Sequence, residues 1–188
     1  FPPRRQILLN GLNEPTIWGA EQAQRRANLD IYSVTFGARI EASGCGVMVG
    51  CINPGHPAEW PPTWDWFAQT LAWLERSERL YLELHEYWQP EGPSCVWTDE
   101  SGNQRHDAGA LAWRHRHLNA NVRIIIGECG VDGVLHNRHA SRNTGWQAYI
   151  NAEQFASQLV EYANGCDERV KAISPFRTDY DANNEDGE

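Results

Sequence analysis

The sequence lacks the patterns that mark several common classes of protein. Its five cysteines include no CxxC pair, which argues against a structural zinc knuckle. Their odd number and scattered spacing leave the disulfide state and the redox compartment open. No apolar stretch approaches the roughly 20 residues of a membrane-spanning helix, and the opening "FPPRRQILLN" shows no signal-peptide pattern.

Basic character is also scarce. The 188 residues include 16 Lys and Arg against 25 Asp and Glu, so the net charge is −9. Nucleic acids and anionic membrane surfaces attract positively charged proteins, and we therefore expect neither as a partner. The length fits a single domain, residues 1–188, with a flexible acidic tail at 178–188. The oligomeric state cannot be read from the sequence.

Five short apolar runs alternate with segments of helical periodicity. The runs, at residues 6–9, 46–52, 80–84, 122–126 and 170–174, predict strands. The helical patterns lie at residues 19–43, 63–77, 107–119 and 144–164. This order predicts an α/β fold with a parallel sheet covered by helices. Two arrangements stay open, an open doubly wound sheet and five consecutive units of a (β/α)8 barrel.

The first helical pattern also predicts which of its faces is buried. Small and apolar side chains recur on roughly one face, namely Ala23, Ala27, Ile31, Val34, Ala38 and Ile40. Neither a G-x-G-x-x-G nor a G-x-x-x-x-G-K-[S/T] motif follows any predicted strand, so the usual signature of a nucleotide fold is missing. We expect no cofactor and no metal.

Polar and aromatic side chains gather where the predicted strands end. In parallel β/α folds the chemistry lies at the carboxyl ends of the strands. Two of the residues there are glutamates, Glu14 and Glu128. A pair of facing carboxylates suits glycoside hydrolysis, in which retaining enzymes hold the two about 5–5.5 Å apart. The other candidates are Asn13, His56, His85, Tyr87, Trp88 and Asp132.

Three short motifs resemble those of a known group of enzymes. The stretches "LNEP" at 12–15, "HEYW" at 85–88 and "IGECG" at 126–130 look like strands four, six and seven of the retaining (β/α)8 glycoside hydrolases of clan A, the cellulase and mannanase type. The resemblance implies a partial (β/α)8 barrel that holds strands four to eight, the C-terminal portion of the full barrel. It also implies a polysaccharide or oligosaccharide as substrate.

The resemblance assigns roles residue by residue. Glu14 would be the acid/base and Glu128 the nucleophile, while Asn13 would bond the sugar 2-hydroxyl. His85 and Tyr87 match the His-x-Tyr of strand six, and Tyr87 would orient Glu128. Strands one to three of that barrel have no match in this sequence. A non-catalytic carbohydrate-binding or structural barrel fragment is therefore the alternative function.

The remaining candidates each have two interpretations. Trp88 either stacks on a sugar ring or packs in the core. His56 is either a solvated loop residue or a substrate contact, and Asp132 either contacts a sugar hydroxyl or caps its loop. Cys129 is expected to be a small buried residue. His115 is expected on the surface, together with His117.

Overall fold

The computed structural model describes residues 8–17, 19–52, 63–98, 102, 104–106, 111–131 and 149–175. The predicted tail at 178–188 lies outside these ranges. The described strands are β1 (Leu8–Asn10), β2 (Gly46–Ile52), β3 (Leu80–Trp88), β4 (Val96–Thr98), β5 (Gln104–His106), β6 (Arg123–Val131) and β7 (Val170–Pro175). The described helices are α1 (Gln22–Ala42), α2 (Ala68–Leu74) and α3 (Ala152–Gly165), with short 3-10 turns at Asp65–Phe67 and Arg114–His117.

Five of these strands form one sheet in the order β1-β2-β3-β6-β7, and each neighbouring pair is parallel. The predicted α/β class with a parallel sheet is thus confirmed. The strands follow one another in chain order, without the reversal of direction that creates the switch point of a doubly wound sheet. Their carboxyl ends therefore meet at one edge, with β3 in the centre.

The two central strands are longer than the apolar runs that predicted them. β3 and β6 each have nine residues, so His85 and Glu128 lie inside strands instead of after them. The prediction stopped where the apolar run stopped. The ladder continues because the polar residues at this edge find partners, and buried polar groups are tolerated when they are paired.

The connection from β3 to β6 differs from its prediction. The segment predicted as a polar loop, residues 89–106, contains the antiparallel pair β4 and β5. The predicted helix at 107–119 is described from residue 111 onward, where it contains only the 3-10 turn. A short hairpin needs little apolar pattern, because its two strands pair mainly through their backbones.

The buried face of α1 matches the predicted one only in part, because Val34 and Ile40 pack against the core while other predicted residues are exposed. Ile31 is 55% exposed, whereas the buried residues are Leu29, Asp30, Ser33 and Gly37. Asp30 accepts hydrogen bonds from the backbone amides of Gln69 and Thr70, and so anchors the start of α2. A β-carbon on Gly37 would overlap the indole ring of Trp73. The packing of α1 is therefore set by the close approach of its backbone to Trp73 and by the buried carboxylate of Asp30. A search for an apolar helix face detects neither.

A buried polar network of the described core centres on Glu86. Its carboxylate accepts from the backbone amides of Trp113 and His115 at 2.7 and 2.9 Å, and from the Tyr162 hydroxyl at 2.7 Å. His115 Nδ1 lies 2.9 Å from the same carboxylate. The expectation that His115 is a surface residue was wrong, because this residue is fully buried. The network joins β3 to α3 and to the 3-10 turn.

Burial by itself would raise the pKa of Glu86. The charge of His115 and the hydrogen bonds from His115 and Tyr162 outweigh it, and the pKa of Glu86 is lowered. The folded structure therefore stabilises the ionised form of the Glu86 carboxylate. Its contribution to stability is present above the unfolded-chain value near 4.5 and is lost as the pH falls below it.

We expect the substitution Glu86→Gln to lower the free energy of unfolding by about 3 kcal/mol at pH 7, because it removes one partner of a buried charged network. The loss should shrink as the pH falls below about 4.5, where the wild-type carboxylate also becomes protonated. Urea unfolding at a series of pH values measures both effects.

The matched control is Glu78→Gln, since that side chain is 88% exposed and forms a surface ion pair with the partly exposed Arg123. Equal losses from the two substitutions would contradict the structural role of the network.

Candidate functional site

Four strands bring their polar residues to one edge of the sheet. Asn13 and Glu14 follow β1, Cys51 lies near the end of β2, His85 lies in β3 and Glu128 in β6. The strands are parallel neighbours, so these side chains converge around the central residue, His85.

Two β-bulges flank His85 and explain why its neighbours point toward it. Between β2 and β3 the register passes from Gly50↔Glu83 to Ile52↔Leu84, which leaves Cys51 as the extra residue. Between β3 and β6 it passes from Leu84↔Ile126 to His85↔Glu128, which leaves out Gly127. A bulge re-aims the side chains next to it. The second bulge sets Glu128 directly opposite His85.

The size of Gly127 is part of this arrangement. A β-carbon at that position would overlap the Glu83 carboxylate, which occupies the adjacent space on β3. The glycine of the "IGECG" motif therefore allows β6 to pass close to Glu83 while Glu128 faces His85.

One ring nitrogen of His85 lies between the two glutamates. Its Nδ1 is 2.8 Å from Glu14 Oε1 and 3.3 Å from Glu128 Oε2. Carboxylate oxygens of Glu14 and Glu128 and the ring nitrogen all lie within 4.8 Å of one another. The two glutamates thus face each other at the rim of the sheet, as the sequence predicts.

Tyr87 holds Glu128 from the same face of β3. Its hydroxyl donates a hydrogen bond of 2.8 Å to Glu128 Oε2, the oxygen that also faces His85. Tyr87 is two residues beyond His85, and alternate residues of a strand point to the same face. The His-x-Tyr spacing therefore places an imidazole and a phenol against one carboxylate.

The other ring nitrogen of His85 faces a thiol and a third carboxyl group, that of Glu83. Cys51 Sγ is 3.2 Å from His85 Nε2 and donates a hydrogen bond of 3.2 Å to Asn13 Oδ1. Glu83 Oε1 is 4.0 Å from the same nitrogen. Through Cys51, the site connects back to the amide of the Asn-Glu motif.

The backbone is strained at two of these positions. Glu14 and Cys51 adopt φ angles of 43° and 44°, in the left-handed region that non-glycine residues rarely occupy. Such a conformation costs on the order of 1–3 kcal/mol and persists where the surroundings enforce it, often at functional sites. Both residues direct a polar side chain toward His85, which is a reason for the strain.

The charge of His85 follows from its neighbours. Burial alone would lower its pKa, but the hydrogen bonds to Cys51 and Glu14 and the charge of Glu128 raise the pKa of His85 to about 9. The ring is therefore a cation at neutral pH. Burial and the nearby Glu128 raise the pKa of Glu83, although the charge of His85 opposes this.

Exposure divides the site into a rim and a floor. The side chains of Glu14 and Glu128 are 33% and 25% exposed, whereas that of His85 is 1% exposed. Tyr87 and Glu83 are also buried. A ligand can therefore reach the two carboxylates from solvent, and His85 supports them from beneath.

Five of the predicted site residues meet here, namely Asn13, Glu14, His85, Tyr87 and Glu128. Trp88 does not join them. It is fully buried, its ring stacks on Tyr162, and its indole nitrogen donates to Gln158 on α3, so the core interpretation fits the structure. His56 and Asp132 lie outside the described residues.

Two residues of the cluster were missed from the sequence, Cys51 and Glu83. Glu83 could have been found, because it precedes His85 by two positions and so shares its face. Cys51 could not, because its direction depends on the bulge in β2. The expectation for Cys129 was right, since it is buried and burial raises the pKa of its thiol to about 12.

The opposite edge of the sheet carries ordinary surface charges. A cavity of about 330 Å³ opens there, lined by residues that precede β3, β6 and β7 and by Arg123 and Lys171 at the starts of β6 and β7. Arg123 in this cavity pairs with Glu78 at 3.0 Å. In contrast, the buried residues Glu83, His85 and Glu86 lie toward the carboxyl end of β3.

No protein-family model, curated protein or solved structure matches this chain. None of the helices within the described ranges is long and apolar enough to cross a membrane.

We expect the imidazole of His85 to titrate near pH 9 in EDTA-treated protein, above the range of an ordinary histidine. Since this pKa exceeds the unfolded-chain value of about 6.5, the charged ring stabilises the fold fully below pH 6.5. That contribution, on the order of 3 kcal/mol, is lost as the pH rises through about 9. Histidine NMR signals followed against pH give the titration, and urea unfolding gives the stability.

The matched control is His117→Asn. Burial and the nearby charges of Arg114 and Arg116 lower the pKa of His117, so it titrates below this window. The His85→Asn variant should lose the decline in stability between pH 7 and 9 that His117→Asn keeps. A decline of equal size in both variants would disprove the assignment to His85.

Proposed function

We propose that the protein is a retaining O-glycoside hydrolase acting on a polysaccharide or oligosaccharide, with Glu14 as acid/base and Glu128 as nucleophile. The observation that carries this proposal is the approach of the two carboxylates, whose oxygens lie within 4.8 Å of each other at a rim that solvent reaches.

The spacing supports a retaining over an inverting mechanism. Inverting enzymes separate their carboxyl groups by about 6.5–9.5 Å to admit a water molecule, whereas retaining enzymes hold them about 5–5.5 Å apart. The closest carboxylate oxygens of Glu14 and Glu128 lie within 4.8 Å of one another, nearer to the retaining spacing than to the inverting one. This spacing favours direct attack of one carboxylate on the sugar.

In the first step, Glu128 attacks the anomeric carbon while protonated Glu14 gives its proton to the leaving glycosidic oxygen. The glycosidic bond breaks, and an ester bond joins the sugar to Glu128. In the second step, Glu14 takes a proton from water, and the water oxygen attacks the anomeric carbon. The ester breaks, which releases the sugar and restores both glutamates.

His85 and Tyr87 act as positioning residues in this scheme. The Tyr87 hydroxyl and the His85 cation both face Glu128 Oε2, so together they hold the nucleophile in one orientation. His85 also fixes Glu14 through Nδ1. Asn13 is exposed beside Glu14 and is suited to bind a sugar hydroxyl.

The fold is consistent with part of a (β/α)8 barrel. Its parallel strands follow in chain order, and helices α1, α2 and α3 lie in three of the four connections. Right-handed connections that always advance in the same direction place their helices on one face of the sheet, as in that barrel. We infer that β1, β2, β3, β6 and β7 correspond to strands four to eight.

We expect Glu128→Gln to reduce the hydrolysis of aryl-glycosides by roughly 10⁴-fold or more, because the amide cannot act as the nucleophile. Azide should restore turnover to a Glu128→Ala variant, since it can enter the vacated space and attack the sugar. Release of the aryl group, measured over a panel of aryl-glycosides with β-glucan and mannan as polymers, provides the assay.

Glu168→Gln is the control, because that exposed residue lines the cavity at the opposite edge of the sheet. Full activity of Glu128→Gln would remove the nucleophile assignment. Binding of β-glucan or mannan without any hydrolysis over long incubation would instead support the non-catalytic alternative.

A further inference from the structure

A second group of side chains shares His85 with the glutamate pair but lies on its other ring nitrogen. Cys51, Glu83 and His85 each offer one atom, and these three atoms lie within 4.8 Å of one another. The Cys51 Sγ to His85 Nε2 distance is 3.2 Å, and the Glu83 Oε1 to His85 Nε2 distance is 4.0 Å. The proposed hydrolysis uses neither Cys51 nor Glu83.

The donor set is the one that Zn²⁺ prefers. Zinc binds thiolate sulfur, imidazole nitrogen and carboxylate oxygen in tetrahedral geometry, with bonds of about 2.0–2.3 Å that place neighbouring donor atoms roughly 3.3–3.7 Å apart. The Cys51 Sγ to His85 Nε2 separation of 3.2 Å is slightly shorter than this range, and the Glu83 Oε1 to His85 Nε2 separation of 4.0 Å is slightly longer. Shifts of a few tenths of an ångström at the side-chain ends would bring both into it.

Glu83 provides an independent indication of a ligand. The residue is only 6% exposed, and its Oε2 atom has no hydrogen-bond partner among the described residues. A buried carboxyl oxygen without a partner is unfavourable and needs an explanation, such as an ion. A cation between Cys51 and His85 would give this carboxylate its counter-charge.

The outer contacts of His85 also suit metal binding. Histidine ligands of metals usually use the second ring nitrogen to contact a carboxylate, which fixes the orientation of the ring. His85 Nδ1 contacts Glu14 Oε1 at 2.8 Å, which leaves Nε2 directed at Cys51. The Cys51 backbone is strained at its bulge and directs the sulfur toward that nitrogen.

We propose that Cys51 Sγ, His85 Nε2 and the Glu83 carboxylate form a binding site for one thiophilic divalent cation of the Zn²⁺ class. Asn13 Oδ1, 3.2 Å from Cys51 Sγ, is close enough to supply the fourth ligand or to hold a water in that position. The cation joins the carboxyl ends of β2 and β3 beneath the glutamate pair. At neutral pH its binding releases two protons to solvent, one from the Cys51 thiol and one from Nε2 of the charged His85 ring.

Cobalt is the probe, because a Co²⁺–thiolate bond gives a near-ultraviolet charge-transfer band and a tetrahedral site gives intense visible bands. Titration of the EDTA-treated full chain should produce both with one equivalent of Co²⁺, and Zn²⁺ should abolish them by displacement. Cys51→Ala should lose the charge-transfer band, and Glu83→Gln should weaken binding at least about 10-fold.

Cys45→Ala is the matched control, since this cysteine is also free but directly precedes β2, at the opposite end of that strand from Cys51 and outside the cluster. It should keep both bands. If Cys51→Ala fails to fold by circular dichroism, Cys51→Ser retains the size of the side chain, and Glu83→Gln tests the carboxylate separately.

The inference is overturned if one equivalent of Co²⁺ produces no charge-transfer band, or if the band persists in Cys51→Ala. The assay does not depend on hydrolysis. The Glu128→Gln protein, which is inactive under the proposed mechanism, should still bind Co²⁺, so failure of one proposal is distinguishable from failure of the other.

Discussion

The carboxyl-end edge of the sheet depends on one charged imidazole. His85 touches Glu14 and Glu128 through one nitrogen and Cys51 through the other, so a single ring links groups from β1, β2, β3 and β6. Without a cation at this position, the carboxylates would repel one another in a partly buried space. The positive ring allows them to approach and also holds them there. The paired spacing on which the proposed chemistry relies is therefore a consequence of charge balance.

A second consequence is that the site is assembled by irregular backbone. Regular ladders on both sides of β3 would direct different side chains at His85. The sheet is irregular around His85, where bulges occur at Cys51 and Gly127 and Glu14 has a left-handed backbone conformation. The energy that these features cost is offset by the buried ion contacts that they permit. The rest of the sheet, with its buried aliphatic residues, stabilises the frame.

The sequence predicted the five strands of the parallel sheet, three of the four helices between them and five of the residues that meet at the site, because apolar runs and strand ends are local signals. It did not predict Cys51, whose direction depends on a bulge, or the full buried face of α1, which is set by Gly37 against Trp73 and by Asp30. His115 was misassigned because a basic stretch is typical of a solvated surface, and the carboxylate that it contacts, Glu86, lies far away in the sequence. These errors arise from contacts between residues that are far apart in the sequence, which a periodic pattern of apolar residues does not reveal.

The alternation of β3 has an implication for how the chain tolerates change. His85 faces the glutamate pair, while the next residue, Glu86, faces His115 and Tyr162 on the reverse side. A slip of one residue would exchange the two faces, leaving a cation among donors and an anion among carboxylates. A register shift of β3 is therefore electrostatically unfavourable on both faces of the sheet. Single-residue insertions or deletions within this strand should consequently be purged, even where every aliphatic side chain could be repacked.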